Sequence, residues 1–105
     1  MENRYRSLET KIEEWADDKG IFSKGNPTAQ ALKTIEEANE ILDAIDKESK
    51  EEVVDGLGDT LVTLIIQAKM QKVDLLDCLQ SAYDVISKRS GVMKDGQFIK
   101  EKATN

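Results

Sequence analysis

The sequence contains no histidine, one cysteine, one proline and no cluster of basic residues. Without histidine, the Glu-x-x-His ligand set of a di-iron helical bundle cannot be completed. A single cysteine excludes an internal disulfide, and the leucines around Cys78 predict that it is a small core residue in a reducing compartment. Because the net charge is −6 and the basic residues are scattered, we expect no binding of nucleic acid through its phosphates.

The sequence also lacks a long apolar run. The longest one starts at Leu61 and is interrupted by Thr63, Gln67 and Lys69, well short of a membrane span. The first residues, MENRYRSLETK, contain no apolar stretch of the kind that a secretory signal requires. We therefore expect a cytoplasmic protein that has no membrane partner.

What the sequence does contain is typical of a helical protein. Hydrophobic residues make up 39% of the 105 residues and charged residues 34%, a balance that argues against disorder. This length predicts one domain spanning residues 1–105, with a surface that is large relative to its core. A partner subunit would bury part of that surface, so we expect a homodimer or homotetramer.

Apolar spacing and helix-breaking residues predict an all-α fold, namely a four-helix bundle-like subunit with a short C-terminal tail, assembled as a homo-oligomer. The first helix covers about 4–18 and ends near Gly20, and the second follows a cap at Asn26 or Thr28 and runs to about 46. The third is capped by Ser49, with Glu52 in the capping-box position, and ends near 72. The fourth runs from about 74 to the segment KRSG, and the tail turns at Asp95–Gly96.

The second predicted helix is apolar on one half and acidic on the other. At about 100° per residue, the apolar half holds Leu32, Ile35, Ala38, Ile41, Leu42 and Ile45. The other half holds Lys33, Glu36, Glu37, Glu40 and Asp43. Taken alone, this pattern indicates an amphipathic helix with a solvated acidic face.

The third predicted helix is different, because its acidic sector turns apolar along its length. Asp55 and Asp59 lie one turn apart, and the same sector continues with Val62 and Ile66. We therefore expect a helix that is buried on two faces, with both aspartates in a partly enclosed space, where carboxylates need a compensating positive charge. Gly56 and Gly58 lower helix propensity, which predicts the close approach of another backbone or a ligand.

The short connection between these two helices makes them antiparallel neighbours. This arrangement brings Glu37 and Glu40 opposite Asp55 and Asp59 in a cluster of oxygen ligands without sulfur or imidazole. Hard divalent cations suit such a cluster, so the sequence predicts a Mg²⁺ site, with Mn²⁺ as the second choice.

The order Gln30-x-x-Lys33-x-x-Glu36-Glu37-x-x-Glu40, followed by VVDGLGDTLV, resembles the MazG-like members of the all-α nucleoside triphosphate pyrophosphohydrolases. The resemblance includes Trp15, the loop at Gly20–Ile21 and the ending KRSGVMKDGQFIK. Members of the family carry an E-x-x-E pair followed by an E-x-x-D pair. Here Gly56 stands where the second glutamate is expected, so that Asp55 is our substitute ligand and Glu52 a further candidate; Glu52-x-x-Asp55 is itself an E-x-x-D match.

The resemblance implies Mg²⁺-dependent hydrolysis of nucleoside triphosphates to a monophosphate and pyrophosphate, in a role of nucleotide-pool house-cleaning. The implied site residues are Glu37, Glu40, Asp55 and Asp59 as metal ligands, Glu36 or Glu37 for the attacking water, Lys33, Arg89 and Lys100 for the phosphates, and Trp15 for the base. Purely structural roles remain alternatives for three of these residues. Lys33 could form an intrahelical ion pair, Arg89 could interact with the helix dipole, and Trp15 could pack in the core. Tyr83 and Phe98 are interpreted as core residues.

The alternative function is a non-catalytic helical regulator that binds a nucleotide or a partner protein. Gly56 in place of an acid and the apolar excess of the third helix favour this alternative.

Overall fold

The computed structural model describes residues 3–101, which divide into two compact units, with the boundary along the chain between Leu75 and Leu76. Its helices are α1 (Arg4–Asp18), α2 (Ile21–Lys24), α3 (Pro27–Asp46), α4 (Lys50–Met70) and α5 (Leu75–Ile86), and its strands are β1 (Gly91–Lys94) and β2 (Gln97–Lys100). The described chain is therefore mostly helical, as predicted. The short helix α2 and the strand pair are additions to the predicted four helices and tail.

Side-chain caps define where the long helices begin. Asn26 Oδ1 accepts a hydrogen bond from the backbone N–H of Ala29 at 2.8 Å, which identifies Asn26 rather than Thr28 as the cap of α3. The predicted cap of α4 is confirmed, since Ser49 Oγ accepts a hydrogen bond from the backbone N–H of Glu52 at 3.2 Å. Glu48, with a left-handed φ of 54°, reverses the chain between α3 and α4.

Helices α3 and α4 form the main hairpin of the first unit, and their contact uses only one edge of the apolar half of α3, at Ile41. The residues of α3 turned toward α4 are Gln30, Thr34, Glu37, Ile41 and Ala44, which lie on the boundary between the apolar and acidic halves. Thr34 Oγ1 donates a hydrogen bond to Thr63 Oγ1 at 2.8 Å. Most of the large residues of the apolar half do not pack against α4, since Leu32, Ile35, Leu42 and Ile45 are exposed.

Helix α4 is buried in its C-terminal half and exposed in its N-terminal half. Thr63, Ile65, Ile66 and Ala68 are buried, whereas Gly56 is the one buried residue of the first two turns. Val54, Leu57, Leu61 and Leu64 remain exposed. The prediction that α4 is buried on two faces is therefore confirmed, within the described chain, only for the part of the helix from Thr63 onward.

A polar network ties α1 to the segment that follows α4. Arg6 donates hydrogen bonds to Glu9 at 2.9 Å and to Asp74 at 2.8 Å, and Tyr5 Oη donates to Glu9 at 2.8 Å. Burial and the hydrogen bond to Glu9 raise the pKa of Tyr5 to about 12, so the phenol remains a donor at physiological pH. The network fixes α1 beside the C-terminal half of α4.

The second unit contains the rest of α5 and an antiparallel hairpin. β1 and β2 pair in the register Gly91↔Lys100 to Lys94↔Gln97, and the predicted turn is confirmed at Asp95 and Gly96, whose φ angles of 50° and 80° suit a two-residue hairpin. The core assignments of Cys78, Tyr83 and Phe98 are wrong, because all three side chains are exposed. No residue of α5 is buried.

Within residues 3–101, none of the helices combines the length and the apolarity needed to cross a bilayer.

Candidate metal centre and adjoining cleft

Three of the four predicted metal ligands come together at the face between α3 and α4. Each of Glu37, Glu40 and Asp59 offers a carboxylate oxygen that lies within 4.8 Å of the other two. Glu37 and Glu40 are one turn apart on α3, and Asp59 faces them from the third turn of α4. The short α3–α4 connection therefore produces the predicted convergence of acids.

Glu37 is the most enclosed member of this three-carboxylate cluster. It retains 9% of its accessible surface, and its Oε2 is buried without a hydrogen-bond partner among the described residues. Its Oε1 lies 3.3 Å from Lys33 Nζ, which also lies 3.4 Å from Glu36 Oε2. A buried carboxylate oxygen without a donor is costly, and a cation bound at the cluster would compensate it.

The charges of the cluster act on one another. The carboxylate of Glu37, within hydrogen-bonding reach and negatively charged, raises the pKa of Glu40 above its ordinary value of 4.5. A proton on Glu40 would be shared with Glu37, and once that proton is lost the two carboxylates repel each other. For Lys33, the hydrogen bond to Glu37 and the charge of Glu36 raise the pKa and keep the ammonium group protonated.

The raised pKa of Glu40 predicts a pH-dependent stability in the absence of divalent cations. The folded state binds this proton more tightly than the unfolded state, so the stabilisation is present at low pH and is lost as the pH rises through the folded pKa, which lies above 4.5. In the Glu40→Gln variant, the amide that replaces this carboxyl group cannot ionise. We expect the melting temperature of Glu40→Gln minus that of the parent, measured in EDTA, to increase from pH 4 to pH 8. A difference that is constant over this range would contradict the coupling.

A groove of about 370 Å³ continues from the cluster toward the N-terminus of α4. Besides Glu40 and Asp59, its acidic lining includes Asp43, Glu52 and Asp55. Asp55 is outside the three-carboxylate cluster, and Glu52 pairs with Lys47 at 3.5 Å. Both candidates for the second acidic motif therefore lie beside the cluster rather than in it.

The two glycines of α4 differ in their surroundings. A Cβ on Gly56 would lie 2.9 Å from Ile41 Cγ1 and 3.6 Å from Ile41 Cα, so the predicted close approach of another backbone occurs there. A Cβ on Gly58 would meet nothing within 4 Å. Gly56 thus has a packing role, because a glutamate at this position would displace Ile41 and separate the helices.

A second concavity adjoins the cluster on its other side. This cleft, of about 260 Å³, has Lys33, Glu37 and Asp59 in its polar wall and Trp15, Ile21, Val62 and Ile66 in its apolar wall, with Gln30 and Thr63 completing the lining. Trp15 keeps 48% of its surface exposed, so it is not a core residue. The structure therefore places Trp15 beside the acidic cluster, where a ligand could contact it.

The other two predicted phosphate ligands belong to the second unit. Arg89 follows α5 by three residues, and its backbone N–H donates to the carbonyl of Ile86 at 3.0 Å. Lys100 is the last residue of β2, opposite Gly91. Both side chains are exposed.

The helical architecture places three carboxylates between two antiparallel helices, beside a cleft, where they could hold a metal ion. The chain belongs to the MazG family, since the family model of the MazG nucleotide pyrophosphohydrolase domain matches residues 26–92. The match includes the cluster, Gln30, Lys33 and Arg89, whereas Trp15 and Lys100 lie outside it.

One relative is a phage protein whose own activity is not known. The chain is 30% identical over 69 residues to an uncharacterized 18.2 kDa protein from the rep-hol intergenic region of Haemophilus phage HP1. The aligned segment is 66% of this chain and 42% of the relative, so the chain spans less than half of that protein. No solved structure matches the chain.

Sequence reasoning did not assign a function to Gln30 or Thr63. Gln30 heads the motif that carries the family resemblance, but its neighbours in the chain give no reason for an amide at that position. Thr63 interrupts the apolar run of α4, and a polar residue on an otherwise apolar face was the available signal.

Proposed function

We propose that the protein hydrolyses nucleoside or deoxynucleoside triphosphates to a monophosphate and pyrophosphate in a Mg²⁺-dependent reaction. The observation that carries this proposal is the buried, unpartnered Oε2 of Glu37 within the three-carboxylate cluster. Membership of the family supports the nucleotide as the substrate. A role in removing unwanted nucleotides in the cytoplasm fits this chemistry.

The donor set of the cluster fits a hard divalent cation. Glu37, Glu40 and Asp59 would hold the metal through oxygen atoms alone, with Asp55 as a further ligand at the edge, and this set favours Mg²⁺ with Mn²⁺ as its substitute. When bound, the metal supplies charge neutralisation for the triphosphate and lowers the pKa of a water molecule.

The chain's own carboxylates position and deprotonate the attacking water. Glu36 and Glu37 are the candidates, and Glu37 belongs to the three-carboxylate cluster itself. The water oxygen forms a bond to the α-phosphorus, the bond from that phosphorus to the α–β bridging oxygen breaks, and pyrophosphate leaves with the electron pair. The proton of the water passes to the carboxylate.

Lys33 and Trp15 are the further residues that we propose for the substrate site in the first unit. Lys33 holds Oε1 of Glu37 and is half-exposed, so its ammonium group can also contact a phosphate oxygen. Arg89 and Lys100 remain proposed phosphate ligands on chemical grounds, as both are exposed cations. Trp15 offers a half-exposed ring on which a base can stack.

We further propose that the α3–α4 hairpin associates with a second copy of the chain, as a homodimer or as part of a homotetramer. The exposed apolar face consists of Leu32, Ile35, Leu42 and Ile45 on α3 and Val54, Leu57, Leu61 and Leu64 on α4. Leu32 is 62% exposed and Leu57 57%. So many exposed large apolar side chains on one helix hairpin are unfavourable in water and typical of a subunit contact.

The residues of the groove allow a prediction that distinguishes Asp55 from Glu52 as the metal ligand of the second acidic motif. Asp55 precedes Asp59 by one turn and shares the groove with it, whereas Glu52 is engaged by Lys47. We expect Asp55→Asn to raise the Mg²⁺ concentration needed for half-maximal activity severalfold, because water replaces one oxygen ligand at reduced affinity. Glu52→Gln, the matched control, should titrate like the parent. The reverse order in Mg²⁺ titrations would make Glu52 the principal ligand.

The proposed reaction is tested by measuring pyrophosphate release from a panel of canonical and modified triphosphates. We expect release with Mg²⁺ and none without it. The alternative function is a regulator that binds a ligand without catalysis. Gly56 in place of an acid favoured this alternative in the sequence, but its close contact with Ile41 explains the glycine by helix packing. Binding of triphosphates without any release of pyrophosphate would support the regulator.

A further inference from the structure

We propose that the carboxamide of Gln30 selects the base of the nucleotide by pairing with its hydrogen-bonding edge in the cleft beside the three-carboxylate cluster. This inference rests on the proposed function, since it assigns a specificity-determining residue to the same site. It concerns a side chain that has no role in metal binding or proton transfer.

The cleft has the two walls that a nucleotide needs. Its polar wall contains Glu37, Asp59 and Lys33, where the phosphates belong, and its apolar wall contains Trp15 and Ile21. Its volume of about 260 Å³ is below the roughly 300–1,000 Å³ of pockets that enclose a whole drug-sized ligand. The cleft therefore suits one part of a nucleotide, and the apolar wall with an aromatic ring suits the base.

Gln30 lies in this cleft with one hydrogen-bond donor engaged and with an acceptor and a second donor not engaged. Its Nε2 donates to the backbone carbonyl of Thr63 at 3.3 Å, which fixes the side chain against α4. Its Oε1 and its second N–H have no partner among residues 3–101. Since Gln30 is only partly exposed, a ligand in the cleft can satisfy both groups away from bulk water.

Thr63 and Thr34 support this position but offer little to a ligand. Thr63 Oγ1 donates to the carbonyl of Thr60 at 2.6 Å and accepts from Thr34 Oγ1 at 2.8 Å. The hydroxyl of Thr63 is therefore already engaged. This leaves the amide of Gln30 as the neutral polar group of the cleft with a free donor and a free acceptor among the described residues.

The same hairpin provides a matched control. Gln67 Nε2 donates to the backbone carbonyl of Pro27 at 2.9 Å, as Gln30 does to Thr63, but the Oε1 of Gln67 accepts from Gln71 at 3.2 Å. Gln67 does not line the cleft. Gln67→Met thus removes a similar interhelical hydrogen bond without touching the proposed base site.

The test is calorimetric titration of the full chain with nucleoside monophosphates of adenine, guanine, cytosine and uracil in Mg²⁺. We expect the parent and Gln67→Met to discriminate among the bases. Gln30→Met should bind the preferred base about 10-fold more weakly, because one neutral hydrogen-bond pair is lost, and should bind the four bases with nearly equal affinity.

A parent protein that binds the four monophosphates equally, or binds none, overturns the inference, as does a Gln30→Met variant with the parent's order of preference. Pyrophosphate release by the same parent sample reports the proposed reaction separately. Turnover with unchanged base selectivity in Gln30→Met therefore rejects the role of Gln30 alone, whereas base-selective binding without turnover rejects the reaction alone.

Discussion

Glu40→Gln and Asp59→Asn should each reduce triphosphate hydrolysis by about 100-fold or more while leaving the helical fold intact. Loss of a supporting residue behind a metal ligand already costs about 10- to 100-fold, and these substitutions remove a proposed ligand itself. Both side chains are exposed, so neither change creates a core cavity. Steady-state kinetics and circular dichroism on the same samples would measure the two effects.

These substitutions should also stabilise the metal-free protein. Each removes one negative charge from a cluster whose members lie within 4.8 Å of one another. Glu51→Gln, in the exposed first turn of α4 and outside the groove, is the matched control for the loss of one charge. Both variants retaining parental activity, or Glu51→Gln losing as much activity as they do, would contradict the assignment of the cluster.

Leu61→Asp should convert the protein from an oligomer to a monomer. Leu61 lies within the exposed apolar face of α3 and α4, and an ionised carboxylate buried in a subunit contact costs several kcal/mol. Light scattering should give at least twice the 11.8 kDa of one chain for the parent and the mass of one chain for the variant.

Leu8→Asp is the control for this prediction. Leu8 on α1 is 45% exposed and Leu61 is 44% exposed, so the two substitutions introduce the same charge at equally accessible leucines. Leu8→Asp should remain oligomeric. A parent that is monomeric at micromolar concentration would contradict the subunit contact, and a monomeric Leu8→Asp with an oligomeric Leu61→Asp would move the contact to α1.

The sequence predicted the long helices well because each has both an apolar repeat and chain-breaking residues at its ends. Helix caps such as Asn26 with Pro27 and Ser49 with Glu52 act through neighbouring residues of the chain, so they do not depend on tertiary packing. Helix α2 was not predicted because four residues between Gly20 and Gly25 are too few to show a period. The hairpin strands were missed for the same reason, although Asp95–Gly96 marked their turn.

The orientation of α3 could not be predicted from its amphipathic pattern. That pattern separates apolar from acidic residues, but small residues decide where α4 packs, since Gly56 admits Ile41 and Ala44 is nearly fully buried. The packing turns Glu37 into the contact with α4 and leaves Leu42 exposed. The acidic cluster was predictable because Glu37 and Glu40 lie one turn apart on α3 and the short connection makes α4 its antiparallel neighbour. The cleft around Gln30 also depends on where α1 and α2 pack.

Phosphorus NMR of a triphosphate incubated with the protein and Mg²⁺ tests the central claim most directly, because it identifies which phosphoanhydride bond is cleaved. The account predicts that signals of a nucleoside monophosphate and pyrophosphate grow together, that neither grows in EDTA, and that neither grows at a comparable rate with Glu40→Gln. Orthophosphate with a nucleoside diphosphate as the first products, or pyrophosphate release that persists in Glu40→Gln, would contradict it.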